Sequence, residues 1–240
     1  MDDLTTDPDG LAASAREEIG FWERELALEG KHPEVVQRRL DPETRIEEFP
    51  PVLLHQVIPF VQQTFELEGP ARCVEIGSGP LSTLAHGVEA GLLDLTAVDV
   101  LAEAYGELLE RTGNGDFPVR PVAGAAETLL DVVPEDECHI AFARNALDHT
   151  DDIARSFDSL VRTLLPGGAL VLEHHLREGT RQQWSDSHHW DLDVDGGALV
   201  ATGRSGQRLV LSERDDLELV YLQFRSDLLD GWIEHVFRRL

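Results

Sequence analysis

The chain has 240 residues, with 20 basic against 46 acidic side chains and a formal net charge of −26. That length fits one large α/β domain. A charge of this sign leaves DNA, RNA or an anionic membrane without the basic patch it would need, and no Lys/Arg run exceeds two residues. Two cysteines, Cys73 and Cys138, exclude a disulfide framework and fall in apolar runs, where thiols behave as small hydrophobes. The N-terminal residues are acidic where a leader needs a basic start, and nothing approaches a run of about eighteen apolar residues. A soluble, cytoplasmic protein is expected.

In chain order, the first ten residues are expected to be disordered. From Ala15 to Glu29, Ile19, Trp22 and Leu26 recur at i, i+3 and i+7 and share one helical face. A second helix is predicted from Val52 to Thr64, after the turn residues Asp41-Pro42 and Pro50-Pro51, with Pro59 kinking or shortening it. Both precede the first strand, so residues 1–66 read as a helical cap on a domain spanning 67–240.

From Ala71 the texture changes to short apolar runs separated by helical patterns, the mark of parallel βαβ units. Strands are predicted over Ala71–Ile76, Leu95–Val98, Pro118–Val122, Cys138–Ala143 and Ala169–Leu172. After the fourth, Asp151 or Asp152 caps a helix with Ile153, Phe157, Leu160, Val161 and Leu164 on one face. Pro166-Gly167-Gly168 is expected to end that helix and turn the chain into the fifth strand. A less regular segment follows, then an alternating stretch over 198–211 that reads as a hairpin. The last two strands, Leu217–Phe224 and Trp232–Phe237, are seven residues apart. That is too short for a crossover helix, so the pair must be antiparallel.

The strongest local signal is Val74-Glu75-Ile76-Gly77-Ser78-Gly79-Pro80, a glycine turn after the first strand and before a helix. Glycines let the backbone approach a ligand where a Cβ would collide, and a helix N-terminus behind them offers free N–H groups. A dinucleotide fold uses the same device, but its fingerprint wants a third glycine where Ser82 stands. There is no Tyr-x-x-x-Lys pair, and the one lysine, Lys31, precedes the fold, so an NAD-dependent oxidoreductase is the weaker reading. Asp99 ends the second strand twenty residues after Gly79, where an α/β nucleotide site holds a carboxylate against ribose hydroxyls. Each such charged hydrogen bond is worth about 1.5–3 kcal/mol.

Together these residues resemble the class I S-adenosylmethionine-dependent methyltransferases. The match comprises E-x-G-x-G (Glu75, Gly77, Gly79), the acid Asp99, the loop Gly124-Ala125-Ala126-Glu127, and Leu164-x-Pro166-Gly167-Gly168, in order from about Ala71 to Leu172. Leu81 stands where many members have a third glycine. The stretches FWERELALEG, RNALDHTDD and HHW look similar to small-molecule, type 11-like members. The resemblance implies an α/β fold, a seven-stranded Rossmann-like sheet with helices on both faces and an antiparallel terminal hairpin, and S-adenosylmethionine as cofactor. By the same resemblance, Gly77, Ser78 and Gly79 would approach its methionyl portion and Glu75 would position the amino group. Asp99 would hold the ribose, Val100 would pack on the adenine, and Ala126 would meet the adenine edge with Glu127 nearby. Asn145 would line the sulfonium side.

Methyl transfer is an in-line displacement to which an enzyme supplies position, desolvation and sometimes a base, the last worth about 10²–10⁴ in rate. His149 is the first candidate base, with Asp148 orienting it, at the C-terminal end of the fourth strand where open α/β sheets bind ligands. Its alternative role is to help cap the helix that follows. His174, His175, His188, His189 and Trp190 form a second constellation. Adjacent residues on a strand point to opposite faces, so His175 or His189, with Trp190, is expected to shape the acceptor pocket. Glu173 and Asp148 would be within reach of a metal, but no compact ligand motif is present and none is expected. Trp22 and Trp184 read as core or lid packing. The expected reaction is methyl transfer to an oxygen, less readily a nitrogen, of a small polar acceptor such as a sugar or natural-product intermediate. A methyltransferase-like binding module without turnover is the rival.

Overall fold

Period-two alternation along the strand Ala71–Ile76 sends Val74 and Ile76 to one apolar core and Ala71 and Cys73 to another, so this strand is buried on both faces. The computed structural model describes residues 8–184, 188–225 and 231–240. Within them the strands are β1 (Ala71–Ile76), β2 (Leu93–Asp99), β3 (Val122–Ala123), β4 (Cys138–Arg144), β5 (Leu164–His175), β6 (Trp190–Asp195), β7 (Ala198–Gly203), β8 (Arg208–Val210), β9 (Leu217–Arg225) and β10 (Trp232–Arg239). The α-helices are α1 (Pro8–Leu26), α2 (Pro33–Leu40), α3 (Ile58–Thr64), α4 (Ala85–Glu89), α5 (Ala102–Arg111), α6 (Ile153–Thr163) and α7 (Glu178–Arg181).

The main sheet has seven strands in the order β3-β2-β1-β4-β5-β10-β9. β1 runs parallel to β2 and β4, β4 parallel to β5, and β10 antiparallel to both β5 and β9. This is the class I methyltransferase arrangement, with the reversed hairpin the short final connection required. The chain moves outward from β1 to β3 and then returns to β4, so the strand order reverses between β1 and β4. Open α/β sheets bind ligands in the crevice outside the C-terminal strand ends at such a reversal, which marks the ends of β1 and β4 as the candidate site. Both thiols are buried in this sheet, and burial pushes that of Cys138 up to about 12.

Several elements differ from expectation for identifiable reasons. The third strand shrinks to Val122–Ala123 because Pro118 and Pro121 lack the N–H a ladder needs, while Phe117 and Val119 turn into a side core with α5. Pro166-Gly167-Gly168 does not end α6, which stops at Thr163; it lies inside β5. There the β4–β5 register slips between Cys138 and Ile140. A Cβ on Gly168 would stand 2.9–3.3 Å from three carbonyl oxygens, so the close approach requires glycine. Around Pro59 the chain forms a π-turn, Leu53–Val57, that hands over to α3 with the proline in its first turn. α1 begins at Pro8, so residues 8–10 are helical rather than disordered, and residues 1–7 lie outside the described ones.

The N-terminal helices divide in their packing. Leu53, Val57, Ile58 and Val61 join Ala71, Cys73, Ile140 and Phe142 in a core under the sheet, whereas Leu26 of α1 and Val36 of α2 join Leu81, Tyr105, Leu108 and Leu109 around α5. On the opposite face α6 buries Ile153, Phe157, Leu160 and Val161, each contributing roughly 1.5–3 kcal/mol. The predicted hairpin is β7–β8, and β6 joins it as a third strand that buries Trp190 and Leu192 in the same core. Among the described residues, no helix is long and apolar enough to cross a membrane.

Candidate active site

Gly77 and Gly79 turn the chain at the end of β1 with φ of +62° and +60°, the left-handed region that glycine enters without strain. A Cβ on Gly77 would lie 2.4 Å from that of Ala146. The Gly77 N–H donates to Val98 O, and the Gly79 N–H donates to Asp99 Oδ2 at 3.0 Å; the other oxygen, Oδ1, accepts from the Leu101 N–H at 2.9 Å. The carboxylate thus faces the bend. Burial raises the Asp99 carboxyl, and the two N–H groups oppose the shift. An ionised carboxylate offers about four lone-pair positions, so two remain for hydroxyls.

Glu75 is 3% exposed, and its Oε2 accepts from Ser82 Oγ at 2.5 Å. Burial pushes its carboxyl up to about 7, against the Ser82 hydrogen bond and the charges of Arg39 and Arg144. Ser82, at the position a dinucleotide fold gives to glycine, also accepts from the Leu84 N–H and closes the turn. The expected helix does not follow the glycines directly: Pro80–Leu84 form a turn before the five-residue α4.

α1 lies over the bend. A Cβ on Gly79 would be 3.1 Å from Trp22 Cζ2, and the indole N–H donates to Glu18 Oε1 at 2.9 Å. Tyr105 O–H reaches the same oxygen at 3.5 Å. The helical spacing of Ile19, Trp22 and Leu26 located this face, though not what it covers. Arg39 of α2 was also missed: its guanidinium donates to Leu81 O at 3.2 Å, and burial lowers its pKa to about 10.

Val100, beside Asp99, is 68% exposed and offers an open apolar surface. Ala126 and Glu127 begin a 3-10 turn, Ala126–Asp131. The Glu127 carboxylate is engaged elsewhere than at a ligand edge, accepting from the N–H groups of Asp151 and Asp152 at 2.9 and 3.3 Å. Asp152 caps α6 through the Arg155 N–H, so His149 is not the cap. Asn145, at φ +49°, ties the ends of β4 and β5 together: its N–H donates to Glu173 O and its Oδ1 accepts from the His175 N–H at 3.3 Å.

Asp148 and His149 occupy the 3-10 turn Leu147–His149 beyond β4. Asp148 is 2% exposed; its Oδ2 meets His188 Nδ1 at 2.7 Å and His149 Nε2 at 3.5 Å, and the two imidazoles lie 4.5 Å apart. Burial works against this carboxylate, but His149, the His188 hydrogen bond and His174 together hold it below its ordinary range. His174, on the β5 face opposite His175, is 1% exposed and pushed down to about 4 by burial. The three residues expected to shape the acceptor pocket are not brought together. His175 packs edge-on to Trp232 at 4.4 Å, and His189 turns its Nδ1 to Asp151 at 3.2 Å. Trp190 belongs to the core, its indole N–H donating to Thr150 O. His188, which had no role assigned, is the partner Asp148 selects; no spacing rule connects residues forty apart.

Residues 74–172 match the family model described as a methyltransferase domain. Among solved structures, the chain is similar to the 1,6-didemethyltoxoflavin-N1-methyltransferase of Burkholderia thailandensis, which holds 1,6-didemethyltoxoflavin and S-adenosylhomocysteine. Identity is 16%, the match covers 100% of this chain and 93% of that one, and the TM-score is 0.52. The N-methyltransferase NodS of Bradyrhizobium japonicum is 17% identical over 77% of this chain and 92% of its own, with a TM-score of 0.49. No curated protein matches. The family match spans β1 through β5, the stretch that carries the glycine bend and Asp99. That stretch is therefore similar to a methyltransferase domain, and the fold around it is that of the class I S-adenosylmethionine-dependent enzymes.

Proposed function

We propose that the chain transfers a methyl group from S-adenosylmethionine to an oxygen of a small polar acceptor such as a sugar or natural-product intermediate. The observation that carries this reading is the Asp99 carboxylate, held against the glycine bend with lone pairs to spare for a diol. Gly77, Ser78 and Gly79 would hold the methionyl portion and buried Glu75 its ammonium. Val100 and Ala126 would meet the adenine, and Asn145 the sulfonium side. Glu127 acts indirectly, by fixing the chain at residues 151–152. When bound, the cofactor supplies an electrophilic methyl group on a sulfonium.

The acceptor enters between the C-terminal ends of β4 and β5. His149 takes the hydroxyl proton, and Asp148 orients the imidazole and steadies its charged form. His175, beside Trp232 and Arg144, faces this side, while His189 lies at the rim and Trp190 acts only by bracing Thr150. Of the helices before β1, α1 over the bend acts as the cap in this reading, while α3 belongs to the core under the sheet. The charge of −26 disfavours a nucleic acid as acceptor. A nitrogen acceptor is the second reading, since the Burkholderia neighbour is by name an N1-methyltransferase.

Calorimetric titration with S-adenosylhomocysteine and with NAD tests the donor side. The expected result is micromolar binding of the first alone, weakened about tenfold to a hundredfold in Asp99→Ala as charged hydrogen bonds are lost. Preference for NAD, or an unchanged affinity in the variant, overturns the reading.

A further inference from the structure

Asp148 and His149 leave β4 on one turn, and His188 arrives from the far side of the chain just ahead of β6. Two bonds clamp the segments together: the His189 N–H donates to Asp148 O at 2.8 Å, and Trp190 Nε1 donates to Thr150 O at 2.8 Å. As a result, one ligand atom from each of Asp148, His149 and His188 lies within 4.8 Å of the other two. One carboxylate oxygen, Oδ2, meets both imidazoles, at 2.7 and 3.5 Å, whereas the buried Oδ1 has no hydrogen-bond partner. A buried carboxylate that served only to orient rings would be expected to satisfy both oxygens, because an unpaired buried acceptor is costly.

We infer that Asp148, His149 and His188 are the ligand set of a divalent transition-metal cation. Ligand bonds of about 2.0–2.2 Å in tetrahedral geometry separate neighbouring ligand atoms by about 3.3–3.6 Å; the Asp148–His149 distance of 3.5 Å falls in that range, and the Asp148–His188 distance of 2.7 Å would open to it around a cation. Two imidazoles with one carboxylate suit zinc, manganese or iron rather than magnesium or calcium, which prefer oxygen ligands throughout. Three protein ligands leave coordination positions open for an exogenous oxygen, and the surplus of 26 negative charges raises the local cation concentration.

The inference rests on the methyl-transfer reading for its chemistry and, with the cation bound, replaces the proton-accepting role of His149 by ligation. A cation here holds and polarises the acceptor hydroxyl, so that its proton leaves to solvent while His149 serves as a ligand. The oxygen lone pair then forms the new O–C bond as the C–S bond breaks, its electron pair remaining on sulfur as the thioether.

The test uses the full chain stripped with chelator, then titrated with Zn²⁺ by calorimetry and with Co²⁺ by visible absorption. One equivalent should bind with micromolar or tighter affinity, and cobalt should give ligand-field bands of low coordination number. His188→Ala and the more conservative His188→Asn should each weaken binding by about 100-fold, with S-adenosylhomocysteine affinity unchanged, while the remote His55→Ala should alter neither. Binding no tighter than millimolar, or equal affinity in folded His188→Asn, overturns the metal site and leaves the donor reading standing. Failure to bind S-adenosylhomocysteine is a separate result that strikes the methyl-transfer reading.

Discussion

The donor side of the crevice and the side proposed for the acceptor are built by different means. On the donor side, the bend and its acid lie within twenty-five residues of one another, and the bonds that shape the bend run to backbone N–H groups and to Ser82. The acceptor side is made of side chains delivered by separate segments: Asp148 with His188, and His175 with Trp232. Backbone geometry tolerates little variation, because a Cβ at Gly77 collides with Ala146. A side-chain constellation can be changed one residue at a time. The donor half thus constrains the sequence locally, and the acceptor half is free to diverge on a fixed frame.

If the two sides are separable, His149→Ala should leave S-adenosylhomocysteine affinity intact while lowering turnover by about 10²–10⁴ once an acceptor is in hand. Single-turnover kinetics beside calorimetry measure both, and a parallel loss of cofactor affinity would show the sides to be one unit. The next effect sharpens the donor side. Glu75 has its carboxyl raised to about 7 in the free protein, so a cationic ammonium beside it favours the ionised form. Binding then releases a proton, and affinity should rise up to about tenfold per pH unit below 7 and level off above it. Glu75→Gln should flatten that profile. The same raised pKa means that the stability Glu75 contributes is full below its unfolded value and is lost as pH rises through 7.

The smallest effect concerns the core beneath the acceptor side. His235 is buried, stacked on Phe237, with neither ring nitrogen hydrogen-bonded, and burial lowers its pKa to about 4. A depressed imidazole pKa means the unfolded chain binds the proton first, so stability should fall as pH drops from about 6.5 towards 4. His235→Phe should add about 1 kcal/mol at pH 8 and more at pH 5, by thermal unfolding at the two values. An equal gain at both would mean that the ring titrates normally in the fold.

What could be read beforehand follows the same division. Strand β1, the bend and Asp99 were legible because each rests on local periodicity or on a glycine that no other residue replaces. The antiparallel end followed from the seven residues between its strands. Strand β3 starts later than its apolar pattern predicts because Val119 is apolar for a reason unrelated to the sheet, and Pro166-Gly167-Gly168 has the pattern of a helix stop but serves a register slip. His188 stayed without a role because proximity to Asp148 is created by the pairing of β6 with β7 and by two long-range bonds, none of which leaves a spacing in the sequence.

Trp22 sits against Gly79, with its indole bound to Glu18 on the same helix and Glu18 reached by Tyr105. The wall of the donor side is therefore partly supplied from outside the sheet, by a helix held to α5 through buried Leu26, an aromatic ring, a shared carboxylate oxygen and the Arg111–Glu23 ion pair at the surface. In the methyl-transfer reading, fresh donor and spent thioether would both pass this helix. The tempo of repeated cycles would then depend on how firmly that helix is packed, a quantity set far from the reacting atoms.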